Sequence, residues 1–338
     1  MNTPAPQLER YIEKLVREFG DTLMTRLRDP LTEDIVLNPD GKLWVKSVGK
    51  SFQMFGTMPA SQALSALGTL AAIKGTVIHH DQPVLETDLP IDGSRFQALI
   101  PPVVSSPVFA IRCRPKKVFT LNDYESAKIL SDKDDPLNTP RERDDFLQRV
   151  RGLSHREVIQ RAVAAKKNIL IVGSTGSGKT TMVNAVLHEL SCTAPDERVL
   201  LIEDTTELQC TVVNHVALLA VGRVTMLDCL RSCMRLKPDR IVVGEVRGAE
   251  AHTMLKAWNT GHPGGAATVH ANDAVSGLRR LESLVSEATS APQQALISEA
   301  VDVVIFIDAE KSSKAGRKVR EVIVVLGYED GKYLFERV

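Results

Sequence analysis

The sequence predicts an α/β chain, with a smaller N-terminal α+β domain followed by a C-terminal domain on a mainly parallel sheet. Three observations carry this. Beyond about residue 150, short apolar runs alternate with helix-length segments, the pattern of strands joined by crossover helices. Before residue 131, apolar segments are joined through Asp-Gly, the turn chemistry of antiparallel hairpins. Between the two regions lies a stretch of charges and prolines.

The 338 residues suffice for about two domains of ordinary size. At 43% hydrophobic and 25% charged, the chain falls in the globular class, not the disordered or fibrous ones. Lysine and arginine total 42 and aspartate and glutamate also total 42. That balance gives no broad basic surface, and only 4% of residues are aromatic. No strong direct nucleic-acid binding is expected, since both phosphate contact and base stacking are poorly supplied. The longest apolar runs, such as Val216 to Val221, are six residues long, against about 20 for a membrane helix. The first residues lack the apolar core of a signal peptide, so a cytoplasmic protein is expected.

Leu8, Tyr11, Ile12, Leu15, Val16, Phe19, Leu23 and Leu27 recur at helical spacing and predict a helix over the first 30 residues. Glu33 to Leu37 and Leu43 to Val45 flank Asn38-Pro39-Asp40-Gly41, which predicts a hairpin. Leu85 to Ile91 and Arg95 to Ile100 flank Asp92-Gly93 and predict a second. Ala60 to Lys74 reads as a helix between them. These elements form the expected domain 1–130. Residues 131–150 are read as a linker, because 131–145 carry many charges, two prolines and few large apolar side chains.

The domain 151–338 then alternates. Strands are predicted over Asn168 to Val172, Val199 to Ile202, Arg240 to Gly244 and Ala266 to Val269. Helices are predicted over Lys179 to Leu190, Thr225 to Leu236, Ala249 to Asn259 and near Val275 to Glu287. Val301 to Ile307, Arg320 to Leu326 and Tyr333 to Glu336 read as added strands, the last pair joined through Glu329-Asp330-Gly331. Five cysteines, an odd number with no CxxC, predict no disulfide framework. Cys229 and Cys233 share one helix face and are read as buried thiols.

Four elements carry chemistry. The first, Gly173-Ser174-Thr175-Gly176-Ser177-Gly178-Lys179-Thr180, matches GxxxxGK[ST] between an apolar strand and a helix. Glycines let backbone N–H groups turn inward around phosphate oxygens, and the helix N-terminus adds its positive dipole end. Lys179 is expected at the β- and γ-phosphates and Thr180 on Mg²⁺, with Thr181 completing the nucleotide-binding run. The second is Arg240 to Glu245, an apolar strand ending in an acid, the Walker B pattern. Gly244 stands where many P-loop enzymes carry Asp, which favours water activation by Glu245 over metal ligation. The third is Leu200 to Leu208, a strand running into Glu203, Asp204 and Glu207. Acids there suit water-mediated Mg²⁺ contact, Glu203 foremost, and orientation of the nucleophile. The fourth is Gly261 to Asn272, a Gly-rich turn and short strand flanked by His262 and His270. A histidine at a strand end can sense a phosphate by hydrogen bonding.

Taken in chain order, the four elements resemble the secretion and traffic ATPases, hexameric RecA-like motors of type IV secretion, type II secretion and type IV pili. There they are the Walker A, Asp box, Walker B and His box. Asp92 to Phe96, Pro101-Pro102-Val103 and Phe109 to Arg112 resemble the N-terminal domain of the type IV secretion branch. Leu37 to Gly41, Pro238 to Glu245 and Lys256 to Gly261 resemble the TrbB type of conjugal transfer ATPase.

The resemblance implies a RecA-like ATPase domain that hydrolyses Mg-ATP bound between the two domains. Glu245 would polarise water, Glu203 and Glu207 would assist, and His270 would couple phosphate state to domain movement. Arg95 and Arg112 match positions where the N-terminal domain closes on the phosphates. Arg247 would pin either an interface or the Asp box. A homo-oligomer, a hexamer in this family, is implied at the cytoplasmic face of the inner membrane. Its partners would be inner-membrane components of a conjugation apparatus, and its work pilus assembly or DNA–protein transfer. The rival readings are a pilus or type II secretion ATPase and a DNA-stimulated RecA-type ATPase. Against the first stand the missing tetracysteine element and the short tail after the His box.

Overall fold

A computed structural model describes residues 5–116, 120–130 and 145–338. The N-terminal elements are α1 (Ala5–Arg28), β1 (Thr32–Leu37), β2 (Lys42–Ser47), β3 (Gln53–Thr57), α2 (Ala60–Lys74), β4 (Val84–Asp88), β5 (Arg95–Leu99) and β6 (Val108–Arg112). The six strands form an antiparallel sheet in the order β3-β2-β1-β6-β5-β4. Both sequence-predicted hairpins are present, but the second turns earlier than its apolar run suggests. Leu89 to Ile91 lie in the turn, because the Leu89 amide and carbonyl close it through Ser94 and Gly93. Helix α1 is broken at Gly20, whose φ of 71° no helix accommodates. Leu15, Phe19 and Leu23 of α1 pack in one core with Leu67 of α2 and Phe96 and Phe109 of the sheet.

After α3 (Leu121–Ser126) come α4 (Phe146–Val150), α5 (His155–Ala164), β7 (Ile169–Val172), α6 (Lys179–Thr193), β8 (Val199–Glu203) and β9 (His215–Leu219). Then follow α7 (Met226–Arg235), β10 (Arg240–Val243), α8 (Glu250–Asn259), β11 (Ala266–Val269), α9 (Ala274–Ser286) and α10 (Gln294–Ala300). The last strands are β12 (Val303–Ala309), β13 (Arg317–Glu329) and β14 (Lys332–Arg337). Phe146 and Val150, inside the stretch read as linker, are buried in the same apolar cluster as Val158, Ile169 and Leu187. Residues 131–144 of that stretch lie outside the described residues. Strand β9, not anticipated from sequence, is an edge strand with only alternate residues buried.

The second sheet has the order β14-β13-β12-β7-β11-β10-β8-β9. From β9 to β12 every pairing is parallel, and β13 and β14 add antiparallel. Parallel neighbours present their C-terminal ends on one edge, where open α/β sheets bind ligands. Thus the loops after β7, β11, β10 and β8 meet, although the sequence separates them widely. Helix α7 carries Cys229 and Cys233 fully buried. Burial pushes the Cys229 thiol up to about 12 and raises that of Cys233 further.

The two sheets share an apolar core. Val36, Phe52, Leu99 and Val103 belong to one cluster with Leu200, Val216 and Leu230. Beside Phe52 of that cluster, Arg198 is fully buried. Its Nε donates to Leu236 O at 2.9 Å, and its Nη1 donates to Asn38 Oδ1 at 2.6 Å and to Asn214 Oδ1. Among the described residues no carboxylate pairs with it and its Nη2 has no partner. Burial accordingly pulls the guanidinium down to about 10.

Candidate nucleotide site

Strand β7 is buried along its whole length, and the chain leaves it as a glycine loop that turns directly into α6. Gly176 and Gly178 take φ values of 73° and 100°, open to glycine and strained for other residues. A side chain at Gly173 would meet Ile307 O at 2.2 Å, so the loop can lie this close to β12 only with glycine there. The loop borders a cavity of about 790 Å³ lined by residues that include Thr175, Gly176, Gly178, Lys179, Thr180 and Thr181. Four cations (Lys179, Arg247, Arg280, Arg317) face it against two acids (Glu207, Glu245). A loop of backbone N–H groups with this surplus suits a polyphosphate.

The Lys179 ammonium has three protons and three acceptors: Gly173 O at 3.0 Å, Ser174 O at 2.9 Å and His270 Nδ1 at 3.3 Å. His270 Nε2 lies 2.9 Å from Glu245 Oε1, and Arg247 Nη2 donates to Glu245 Oε2 at 2.8 Å. These partners assign the His270 tautomer. Nδ1 accepts from Lys179, so the proton sits on Nε2 and is donated to Glu245. Lys179, His270 and Glu245 therefore form one directional chain. Burial pulls Lys179 below the ordinary lysine value, with Arg247 adding to the shift and Glu245 opposing it. Burial alone would raise the Glu245 carboxyl, but Arg247, His270 and Lys179 together hold it below the usual glutamate value. Arg247 also pairs with Asp204, so it ties the Walker B acid to the Asp box.

The two Asp-box glutamates divide the work. Glu207 Oε2 accepts from Thr180 Oγ1 at 3.0 Å, beside the start of α6. Glu203 is buried, and its Oε1 accepts the backbone amides of Glu207 at 2.9 Å and Leu208 at 2.7 Å. It holds the loop that presents Glu207. Gly244 explains why Glu203 fits: a Cβ there would lie 3.2 Å from Glu203 Cγ. The Asp absent from β10 leaves room for the carboxylate of β8. His262 is elsewhere, its Nδ1 3.0 Å from Pro238 O.

Arg95 and Arg112, expected at the phosphates, are not brought there within one chain. They stand opposite each other on β5 and β6, in a cross-strand row with Asp34 of β1 and Asp88 of β4. They line a separate cavity of about 610 Å³ with Lys74, Glu86, Arg235 and Lys237. Burial raises the Asp34 carboxyl there, although Lys237 Nζ is only 3.3 Å away. The P-loop cavity is lined by residues from Thr175 to Arg317, so within one chain it does not lie between the two domains, where the nucleotide was expected. The reason is the docking just described, which turns the β5–β6 face toward the end of α7. Arg280 and Arg317, which do face the P-loop, carry no motif that the sequence reading could use.

In class this is a P-loop protein, with loop, helix and strand-end acids standing as that class arranges them. The chain belongs to the type II/IV secretion system protein family, matched over residues 151–321, and within it to the TrbB-type group. It is 41% identical over 327 residues to the conjugal transfer protein TrbB of Rhizobium radiobacter, covering 97% of this chain and 94% of that one. It is 32% identical to the protein VirB11 of Rhizobium radiobacter, covering 89% of each. The crystal structure of the Brucella suis VirB11 ATPase from a type IV secretion system, in complex with sulphate, superposes with a TM-score of 0.85 at 26% identity. That match covers 94% of this chain and 96% of the other.

Proposed function

We propose that this protein is a Mg²⁺-dependent ATP hydrolase that powers conjugative type IV secretion. The observation that carries the reading is the Lys179–His270–Glu245 chain at the mouth of the glycine loop. When a nucleotide enters, Lys179 turns from Gly173 O and Ser174 O to phosphate oxygens. His270 Nδ1 then loses or shifts its donor, and the change passes to Glu245 through Nε2–H. The γ-phosphate is thereby registered at the residue that orients the attacking water. Glu245 stays ionised at neutral pH, so it accepts a hydrogen bond from that water throughout the cycle.

The residues present fit a hard cation. Thr180, Glu203, Asp204, Glu207 and Glu245 bring oxygen donors to one small hollow beside the loop, which Arg247, paired with Asp204 and Glu245, also lines. Thr180 Oγ1 would hold Mg²⁺ directly and Glu207, backed by Glu203, would hold its water. Bound Mg²⁺ supplies charge neutralisation on the β- and γ-phosphate oxygens.

The reading extends to a RecA-like ATPase domain (151–338) and an N-terminal domain (1–130), assembled as a homo-oligomer, a hexamer by resemblance. Among the described residues no helix is long and apolar enough to cross a membrane, so contact with the inner membrane would be peripheral, through components of the transfer apparatus. The similarity to TrbB supports conjugation over a pilus-retraction role. The test is phosphate release from Mg-ATP by wild type and Lys179→Ala, paired with mating frequency in a strain lacking the wild-type copy. Turnover with no rescue of mating would overturn the transfer role. Absence of turnover would overturn the enzyme.

A further inference from the structure

We propose that Arg317 is a nucleotide-positioning residue that grips the α- and β-phosphate end of the bound nucleotide. This rests on the P-loop reading and adds to it a residue outside every motif.

Arg317 opens β13, directly after the β12–β13 hairpin turn. Because β12 pairs parallel to β7, that hairpin returns over the glycine loop. The backbone of the hairpin is closed by Glu310 N to Gly316 O at 2.9 Å, and Ser313 Oγ donates to Arg317 O at 2.8 Å. From this anchored base, Nη1 donates to Thr181 Oγ1 at 3.0 Å. The side chain lies across Gly178 so closely that a Cβ there would meet Nη1 at 2.5 Å and Cδ at 2.7 Å.

Charge separates Arg317 from Arg247 and Arg320, and its contacts with Gly178 and Thr181 separate it from Arg280, which lines the same cavity and also has no ion pair among the described residues. Arg247 is neutralised by Glu245 and Asp204, and Arg320 by Glu310. Arg317 has no carboxylate within ion-pair distance among the described residues; its polar contacts are the Thr181 hydroxyl and Ala315 O, the latter at 3.4 Å. It still lines the P-loop cavity. A cation held over the N-terminus of a helix meets only positive dipole there, an arrangement that an anion would relieve.

Position then selects the phosphates. Backbone N–H groups at the start of a P-loop helix cradle the α- and β-phosphates, while the lysine reaches the β- and γ-phosphates. Arg317 touches Gly178 and Thr181, whereas Lys179 points toward His270 and Glu245. A grip on the α/β end serves ATP and ADP alike. It acts on binding and leaves the chemical step alone.

The experiment is equilibrium binding of fluorescent N-methylanthraniloyl-ADP to the full-length protein, with competition by ATP and ADP, beside steady-state phosphate release. Arg317→Ala and Arg317→Gln should weaken ADP and ATP equally, by about tenfold for loss of one charged hydrogen-bonding group. KM should rise by the same factor with kcat within about twofold, and Arg317→Lys should recover part of the loss because it keeps charge without the planar fork. A merely structural arginine would move the thermal midpoint and leave the KM-against-kcat split untouched. Unchanged ADP affinity in both variants would overturn the proposal, as would a loss confined to ATP or to kcat. If the wild type itself binds no ADP, the nucleotide-site reading fails first.

Discussion

Glu245→Gln removes one charge and one acceptor from the site while keeping its shape. Both carboxylate oxygens are in use, Oε1 with His270 Nε2 at 2.9 Å and Oε2 with Arg247 Nη2 at 2.8 Å. A glutamine keeps a single oxygen. If it faces Arg247, the amide NH₂ meets the Nε2 proton of His270. The imidazole can yield only by moving that proton to Nδ1, which faces the Lys179 ammonium 3.3 Å away. If the oxygen faces His270 instead, the NH₂ meets the Arg247 guanidinium. Either orientation exchanges a charge-assisted hydrogen bond, worth about 1.5–3 kcal/mol, for a donor–donor contact. The side chain is 19% exposed, so water takes up part of this. The expected loss of folding stability is about 1 kcal/mol, measured by denaturant titration. Loss of the group that orients the attacking water should cost about 10²–10⁴ in kcat. Phosphate release at saturating Mg-ATP reads the second effect, and a fluorescent nucleotide checks that binding survives. A kcat within about threefold of wild type, below the range such groups supply, would refute the assignment of Glu245 and with it the directional chain.

Lys179→Ala should abolish phosphate release yet leave the denaturation midpoint within about 1 kcal/mol of wild type, since it empties a loop and not the core. The Glu245 carboxyl titrates below its ordinary value of 4.5, so the stability it lends is complete above that pH and fades as the pH falls through the folded value. The stability gap between wild type and Glu245→Gln should shrink as the pH falls below about 4.5; a gap that stays constant down to about pH 3 contradicts the pairing. Gly265→Ala places a Cβ 2.2 Å from Trp258 Nε1 and 2.4 Å from Ile241 O. It should cost about 3 kcal/mol by overpacking, and a near-wild-type urea midpoint would show that Trp258 can move. Arg112 lines its own cavity in this chain, so the phosphate contact proposed for it would be to another copy's nucleotide. Mixing Arg112→Ala with Lys179→Ala subunits should then restore part of the turnover that each lacks alone, and no restoration would leave Arg112 a structural member of its cleft.

The parallel strands could be read from sequence because buried strands are short continuous apolar runs, and the glycine loop because its spacing is dictated by phosphate geometry. The strand-end acids were visible as residues but not in their division of labour. That Glu203 supports the loop while Glu207 meets Thr180 depends on the missing side chain at Gly244, a neighbour only through the β8–β10 pairing. Arg317 was invisible for the same reason: the β7–β12 pairing carries a distant hairpin over the loop. Arg95 and Arg112 are read from sequence as phosphate contacts, and the register sets them side by side on neighbouring strands. Their distance from the P-loop follows from how the sheets dock, which no local pattern encodes. Edge strand β9 escaped notice because half of it faces away from the core.

The seam around Arg198 runs between halves that the sequence separates cleanly. The Leu219 amide at the sheet edge donates to Val103 O at 2.7 Å, and Phe52 lies over the Arg198 guanidinium at 5.8 Å. A nicked chain should therefore stay in one piece through gel filtration, and heating should melt both halves in a single transition. A fragment beginning near residue 145 would lose the cover that Val36, Phe52, Leu99 and Val103 give to the shared core and tend to clump, which makes it a poor stand-in for the whole protein. Yet the seam is not an oily one. Arg198 regains its water when the halves part, offsetting some of the apolar area exposed. Separation is thus cheaper here than across an equal area of leucine.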